Sequence, residues 1–263
     1  MDSVIKQLLI GWGGIVLIMT MTYVLGRKIQ NYGIVDVVWA AGFAILAIFF
    51  ALTGEGNEFR RSVLAIVVCL WSGRLTFHLF ARCKAHHPVE DRRYTALREH
   101  WGHQAHWKML VFFQLQGLAI ILLAVIIAIP TSNDTAQPHL LEIIGLTVVI
   151  ISILGESQAD RQLSRFKRDT GHGEVCEIGL WRYSRHPNYF FEWLVWVGLF
   201  FFSCASGGWW TIYCPLLMLF LLLRVTGVPP SEAQSLKSKG AAYERYMETT
   251  SCFFPLPRKS TTT

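Results

Sequence analysis

The sequence predicts an all-α, polytopic membrane protein, and three observations lead to this fold class. The 263 residues are 52% hydrophobic and only 16% charged, a balance that excludes disordered and low-complexity chains. Apolar stretches long enough to cross a bilayer, which takes about 17 to 25 residues, recur along the chain. Lysine and arginine residues collect between alternate stretches, as they do in the cytoplasmic loops of membrane proteins.

Seven stretches are predicted to form transmembrane helices. Four of them are long, and the other three are shorter or contain a charged residue. In chain order they cover residues 8–25, 34–52, 63–80, 109–129, 139–154, 189–205 and 209–225. Two long loops, 81–108 and 155–188, and a tail from Thr226 then hold most of the polar residues.

The distribution of basic residues orients the predicted helices. The first, third and fifth loops and the tail hold 19 of the 24 lysines and arginines, whereas the opposite side holds only Lys6, Arg60 and Arg61. We therefore expect a single domain of seven helices over residues 1–263, with the N-terminus outside and the C-terminus in the cytoplasm. The net charge of +6 does not indicate a nucleic-acid partner, because the basic residues are spread over several loops rather than one patch.

The sequence favours no metal site. The six cysteines form no CxxC pair, and most fall where thiols behave as small hydrophobic groups. His100, His103 and His106 are three residues apart, a spacing that turns around a helix, and no cysteine or carboxylate completes a ligand set.

Ionisable side chains inside the predicted spans indicate function, because such groups are costly in lipid. Five of them lie near the cytoplasmic ends of their spans: Asp36, Arg74, His78, Glu192 and Arg224. Trp39 follows Asp36 by nearly one helical turn, so a carboxyl group and an indole N–H can face one interior cavity. We expect a polar cavity at the cytoplasmic face, with a purely structural Asp36–Arg74 ion pair as the alternative.

Charged residues after the fifth span form two helical strips. Glu156 and Asp160 are spaced i, i+4 and share a face, while an adjoining strip contains Arg161, Arg165 and Arg168. The acidic pair favours donors such as ribose hydroxyls, and the basic strip favours phosphates. A solvated amphipathic helix at the membrane interface is the alternative.

The densest polar cluster lies between Gly179 and Glu192. It places four donors directly before the sixth span: Arg182, Arg185, His186 and Asn188. These donors and the helix N-terminus converge on one place, which favours phosphate or another anion. A membrane-interface anchor would account for the aromatic residues of the cluster, but not for Glu192 within the apolar part.

Four elements together resemble the bacterial branch of the steroid 5α-reductase family, from about residue 30 to Pro257. They are Asn31-Tyr32 with Val35-Asp36 and Trp39, the Asp91-x-Arg93-Tyr94 segment, Gly179-Leu180-Trp181 with Arg185-His186-Pro187-Asn188-Tyr189 and Glu192, and Thr226-Gly227-Val228-Pro229. Similar Arg-His-Pro-x-Tyr elements occur in sterol C14-reductases and isoprenylcysteine carboxyl methyltransferases, so the resemblance rests on the combination.

The resemblance implies a seven-helix fold that encloses NADPH and an oxidoreductase that reduces the double bond of 3-oxo-Δ4-steroids. Asp36, with Trp39 beside it, becomes the candidate catalytic pair. The candidate cofactor-binding residues are Arg74, His78, Asp160, Arg161, Arg165, Tyr183, Arg185, His186, Asn188, Glu192 and Arg224. Animal members place a tyrosine on the third span, whereas this third span offers Trp71 at that place.

The expected chemistry is hydride addition to the β-carbon of an enone, which builds negative charge on the carbonyl oxygen. A buried Asp36 could stay protonated, because burial disfavours a carboxylate, and then act as the hydrogen-bond donor. The expected partners are NADPH from the cytoplasm, a steroid or other lipid enone from the bilayer, and membrane lipids.

The resemblance also implies a location, the bacterial inner membrane, with the cofactor site facing the cytoplasm. Two other enzyme classes stay open: an S-adenosylmethionine-dependent membrane methyltransferase of the isoprenylcysteine type, and a sterol C14-type reductase. A transporter or receptor is the non-enzymatic alternative.

Overall fold

The computed structural model describes residues 2–86, 89–171 and 173–259, and these residues form helices and no strand. The α-helices of this described part are α1 (Asp2–Lys28), α2 (Ile34–Thr53), α3 (Glu58–His86), α4 (Arg92–Trp101), α5 (Ala105–Ala128), α6 (Leu140–Thr170), α7 (Pro187–Cys204), α8 (Tyr213–Phe220), α9 (Val228–Lys239) and α10 (Ala241–Thr249). The all-α prediction is therefore confirmed.

Six helical segments of the described chain are long and apolar enough to cross a membrane. They are α1, α2, α3 to Ala85, Arg92–Ser132 with α5, α6, and Trp209–Lys239 with α8. These segments indicate an integral membrane protein. The predicted span 189–205 falls in α7, which is not among the six because the polar residues Asn188 and Glu192 in its first turns lower its mean hydropathy.

Large parts of the predicted cytoplasmic loops are helical in the structure. The loop predicted over 155–188 begins as a continuation of α6 to Thr170, about four turns beyond the apolar stretch. The loop predicted over 81–108 contains the end of α3, all of α4 and the start of α5. The tail from Thr226 contains α9 and α10.

The chain divides into two compact units. The first comprises residues 1–139 with 205–208, and the second comprises residues 140–204 and 209–263. In the first unit α2 packs against α3 and α5, and α1 packs against α5 and α2. Its core includes the fully buried side chains of Met19, Phe43, Phe50 and Phe113.

In the second unit α6 and α7 pack closely through glycines. A Cβ on Gly145 would lie 2.5 Å from the carbonyl oxygen of Gly198, and a Cβ on Gly198 would lie 2.7 Å from that of Gly145. Small residues at a helix interface allow this approach of two backbones, as is common in membranes.

Hydrogen bonds gather three connections at one end of the first unit. The backbone N–H of Gly56, after α2, donates to the carbonyl oxygen of Thr131, after α5, at 2.9 Å. Asn133 Nδ2 donates to Ser206 Oγ, in the connection after α7, at 3.0 Å. Asp36 lies at the start of α2 and therefore at the opposite end of this unit.

Candidate functional site

Asp36, in the first turn of α2, accepts two short hydrogen bonds from α4. Tyr94 Oη donates to Asp36 Oδ1 at 2.6 Å, and Arg93 Nη2 donates to Asp36 Oδ2 at 2.6 Å. The Asp36 side chain is 25% exposed. Both partners are donors, so Asp36 is the acceptor in these two contacts, whereas the sequence suggested a hydrogen-bond donor.

Asp91 fixes the position of both donors. It is the N-cap of α4, where Oδ1 accepts the backbone N–H of Arg93 at 3.0 Å, the usual way to satisfy a free helix N–H. Asp91 also accepts Nε and Nη2 of Arg93 at 3.0 and 2.9 Å. Burial opposes ionisation of Asp91, but the hydrogen bonds and charge of Arg93 outweigh it and hold the pKa of this carboxyl below its ordinary value.

Glu90 ties the segment before α2 to α4. Its Oε1 accepts the backbone N–H of Tyr32 at 2.7 Å, and its Oε2 accepts Arg98 Nη2 at 2.6 Å and Thr95 Oγ1 at 3.2 Å. Asn31 Oδ1 accepts the backbone N–H of Gly33 at 3.0 Å, directly before the helix begins. The start of α2 and the start of α4 are therefore held together on both sides of the Asp36–Tyr94 contact.

Trp39 adds a buried donor to the same helix. No described residue accepts a hydrogen bond from its Nε1, although this atom is buried. The indole packs edge-on against Phe43, with ring centroids 4.9 Å apart, and Phe43 contacts the buried Trp71. An unpaired N–H in such surroundings is costly unless a ligand oxygen accepts it.

Asp36 and Trp39 both lie on α2, as the sequence predicted, whereas Tyr94 was not among the predicted site residues. Arg93 and Tyr94 belong to the Asp91-x-Arg93-Tyr94 motif, which is part of the family resemblance. The contact of this motif with α2 depends on the tertiary fold, which the sequence alone does not reveal. Asp36 forms ion pairs with Arg93 and, at 3.9 Å, with the half-exposed Arg82, two partners that the sequence did not indicate. Arg74 and His78 lie half-buried on α3.

In the second unit, Arg185 joins the loop before α7 to α9 and α10. Its Nε and Nη2 lie 2.8 and 2.7 Å from Glu232 Oε1, and its Nη1 donates to the carbonyl oxygens of Met247 and Thr250 at 3.0 and 2.7 Å. The Arg185 side chain is 9% exposed. The guanidinium of Arg185 thus donates to groups of the protein itself. These hydrogen bonds position the loop before α7.

His186, Glu232 and Cys252 form the one cluster in the described chain whose spacing suits a metal ion. Their ligand atoms lie within 4.8 Å of one another, and burial together with the Glu232 charge raises the pKa of the Cys252 thiol. The same Glu232 oxygen already pairs with Arg185, so a cation would have to compete with a guanidinium. This competition disfavours metal binding.

The loop after α6 is fixed by backbone-directed contacts. Gln162 Oε1 accepts the backbone N–H of Leu180 at 2.9 Å, and Trp181 Nε1 donates to the carbonyl oxygen of Ala159 at 2.9 Å. Gly179 has φ +55°, and a Cβ there would collide with Gln162. From α10, Tyr246 Oη donates to the carbonyl oxygen of Trp181.

The first turns of α7 carry two polar groups inward. Asn188 Oδ1 is buried and has no hydrogen-bond donor among the described residues. Glu192 is buried and accepts Trp196 Nε1 at 3.5 Å. The N-terminal end of an 18-residue helix thus presents an acceptor that a ligand donor could satisfy.

Arg224 lies in an irregular turn of the same unit. Residues Leu221–Val225 form a π-helix, closed by the backbone N–H of Thr226 donating to Leu221 at 2.8 Å. Gly227 follows it in close contact, since a Cβ there would lie 2.6 Å from the carbonyl oxygen of Leu222. Single π-turns are frequent at functional sites, and this one leaves Arg224 exposed.

The other predicted cofactor residues are placed as follows. Asp160 is half-buried on α6, while the exposed side chains are those of Arg161, Arg165 and Tyr183. Arg161 Nε donates to the carbonyl oxygen of Ser157 at 3.2 Å, and Arg165 lies 3.8 Å from Asp169. Their roles stay predictions.

Comparisons with known proteins assign the family. The chain is 25% identical over 256 residues to an uncharacterized protein of Schizosaccharomyces pombe, an alignment that covers 86% of this chain and 73% of the relative. No solved structure matches it. The family model of DUF1295, described as a protein of unknown function, matches residues 22–250. Because this match extends over most of the sequence, the chain belongs to the DUF1295 family.

Proposed function

We propose that the protein is an NADPH-dependent membrane oxidoreductase that reduces the carbon–carbon double bond of a lipid enone, with 3-oxo-Δ4-steroids as the substrate class. The observation that carries the proposal is the buried, unpaired Trp39 Nε1 nearly one turn beyond the Asp36–Tyr94 hydrogen bond. The relation of the DUF1295 family to steroid-reductase-like membrane proteins supports it.

The residues of the first unit would polarise the substrate carbonyl. Trp39 Nε1 would donate to the carbonyl oxygen as soon as the substrate binds, because this N–H has no acceptor among the described residues. Tyr94 would turn its single O–H from Asp36 towards this oxygen as negative charge develops there. Asp36 is itself held by Arg93. It would therefore keep the Tyr94 phenol in place beside the substrate.

The residues of the second unit fit a dinucleotide. Asn188 Oδ1 is a buried acceptor that an amide or hydroxyl donor of a ligand could satisfy, and Arg224 is an exposed cation suited to a phosphate. Arg161 and Arg165 add positive charge on α6. Bound there, NADPH would supply the hydride, and the overall reaction adds a hydride and a proton across the double bond.

The proposal includes seven membrane crossings with the C-terminus in the cytoplasm. The hydrogen-bonded connections after α2, α5 and α7 support this topology, because all three belong to one side in the seven-span arrangement. The cofactor would then enter from the cytoplasm and the lipid substrate from the bilayer.

Ligand-induced stabilisation of the detergent-purified chain tests the proposal. A ligand that binds only the folded state stabilises it by about 2.7 kcal/mol at 100 times its Kd, so NADPH should raise the melting temperature. Arg224→Gln should weaken this effect, whereas the matched control Lys237→Gln, on exposed α9, should not. Consumption of NADPH with progesterone or androstenedione would then identify the reaction.

Two outcomes would contradict the proposal. Stabilisation by S-adenosylmethionine with no response to NADPH would assign the chain to methyl transfer, the alternative suggested by its Arg185-His186-Pro187 element. NADPH binding without any oxidation in the presence of steroid enones would exclude this substrate class.

A further inference from the structure

Residues 251–259 of the second unit form an extended strap along the loop before α7. The strap follows α10 and contains no helix. The carbonyl oxygen of Ser251 accepts the backbone N–H of Arg185 at 2.8 Å, and the N–H of Leu256 donates to the carbonyl oxygen of Tyr183 at 3.0 Å. The loop therefore holds the strap in place at two points.

The contact between α6 and α7 gives the depth of the strap in the membrane. α6 is one of the segments able to cross a membrane, and its apolar stretch ends at Gly155. A Cβ on Gly155 would collide with the ring of Phe191, so the start of α7 lies level with the end of that stretch. Phe254 of the strap contacts Phe190 and Trp193 there, with ring centroids 6.0 and 5.8 Å apart. The strap therefore lies at the boundary between lipid and water.

The strap and its loop together expose large apolar side chains. The hydrogen bond between Leu256 and Tyr183 and the ion pair between Arg258 and Glu177 bring the two segments side by side. Exposed apolar groups with a polar border mark sites that contact a membrane or another molecule. We call these side chains the apolar patch, and each is 44–54% exposed: Ile178, Tyr183, Phe254 and Leu256.

The backbone of the strap suits surroundings with little water. Pro255 and Pro257 have no N–H, and the N–H of Leu256 between them is bonded to Tyr183. The segment 255–257 thus has no backbone donor without a partner. An unsatisfied donor is costly in lipid, so this arrangement lowers the cost of contact with the bilayer.

We propose that the apolar patch docks into the headgroup region of the adjoining leaflet, and that Arg182 and Lys259 select anionic phospholipids there. Both basic side chains are exposed, one directly before Tyr183 of the patch and the other at the end of the strap. Interfacial anchors combine apolar groups at the acyl boundary with cations at the phosphates. The lipid surface is the partner because the patch lies at the depth of the boundary and positive charge accompanies it. Docking holds the loop before α7 against the membrane.

Fluorescence quenching of the full chain in lipid vesicles tests the docking. A dye attached at Leu256→Cys should be quenched by nitroxide-labelled lipids and protected from iodide in the water. The matched control is Arg168→Cys, about 20 Å beyond the apolar stretch along α6, which should show the reverse pattern. The unsubstituted chain gives the background from the native cysteines. Equal melting temperatures in detergent would show that both labelled variants fold.

The same dye at residue 256 tests the selection of anionic lipid. Spin-labelled phosphatidylglycerol, titrated into phosphatidylcholine vesicles, should quench it at a lower mole fraction than spin-labelled phosphatidylcholine does. Arg182→Gln and Lys259→Gln should each raise the mole fraction of phosphatidylglycerol at half-quenching about fivefold, the usual effect of one cation near an anionic surface. Arg168→Gln removes an equal charge far from the surface and should leave this value unchanged.

Three results would each overturn the inference. Iodide quenching at residue 256 as strong as at residue 168 would mean that the patch faces water. Protection of the dye at residue 256 from both iodide and nitroxide-labelled lipids would mean that protein covers the patch. Equal quenching by the two spin-labelled lipids would contradict an anionic surface as the partner. None of these measurements uses a nicotinamide cofactor, so the docking surface and the proposed enzyme can fail separately.

Discussion

Tyr94 donates a hydrogen bond of 2.6 Å to Asp36, so the two residues differ as donor and acceptor. Arg93 and Tyr94 both donate to Asp36, which makes Asp36 the acceptor, and in the proposed function the phenol is the group that would donate to the substrate. The expectation from sequence, a protonated Asp36, did not include a cationic neighbour from another segment. Spacing along α2 could reveal Trp39 beside Asp36, whereas only the tertiary fold could bring α4 to them.

Removing either member of this pair should slow turnover without preventing cofactor binding. Tyr94→Phe and Asp36→Asn should each lower kcat on the order of 100-fold, the usual effect of losing a positioned acid or oxyanion donor. The double variant should be little worse than either single one, because both act through the same contact. Steady-state kinetics with a steroid enone, and thermal stabilisation by NADPH, provide the two measurements.

The control for this pair is Tyr23→Phe, which removes one phenol oxygen from the stacked ring of Tyr23 in the same unit. Its turnover should stay near that of the unsubstituted chain. If Tyr94→Phe turned over equally fast, the phenol would have no part in the chemistry. If Tyr94→Phe instead lost its stabilisation by NADPH, the division of roles between the two units would be wrong.

At the scale of helices, the predicted spans have the right places along the chain, but several of the helices are longer than the spans. Each predicted span lies within a helical segment to within one residue at its ends, because a run of apolar residues is a direct consequence of crossing or packing. The predicted span ends at Leu154, where hydropathy drops, and the helical strips predicted beyond it belong to the same helix, which continues to Thr170. Spacings of i, i+4, as between Arg165 and Asp169, support a helix in water, where hydropathy gives no signal.

The glycine contact between α6 and α7 should be intolerant of any side chain. In Gly145→Ala the new methyl group would lie 2.5 Å from the carbonyl oxygen of Gly198 and 2.8 Å from the amide nitrogen of Phe202. Both are backbone atoms, so the helices must move apart. We expect a loss of about 1–3 kcal/mol in the free energy of unfolding, seen as a lower melting temperature.

Gly13→Ala on α1 is the matched comparison, because nothing lies within 4 Å of its Cβ position. Alanine there should be neutral or add up to about 1 kcal/mol of stability through its higher helix propensity. Equal melting temperatures for the two variants would show that α6 and α7 are not packed as closely as the glycines require.

At the scale of the whole molecule, the proposed seven crossings can be compared with the contacts inside the second unit. Six helical segments of the described chain are long and apolar enough to cross a membrane, and α7 is not among them. Arg185, before α7, nevertheless hydrogen-bonds to Met247 and Thr250, which follow α8. If α8 crossed the membrane and α7 did not, these residues would lie on opposite sides. The contacts are therefore consistent with α7 as the seventh crossing that the sequence predicts, and the number of crossings stays a prediction.

Labelling of introduced cysteines with a membrane-impermeant maleimide distinguishes the two topologies. Arg168→Cys, at the end of α6, and Lys237→Cys, on α9, are exposed sites before α7 and after α8. With seven crossings both should be labelled from the cytoplasmic side only, and Thr135→Cys, in the exposed connection after α5, from the outside only. The unsubstituted chain measures labelling of the native cysteines. If residues 168 and 237 were labelled from opposite sides, α7 would not cross, and the Arg185 contacts with α10 could not form in the membrane.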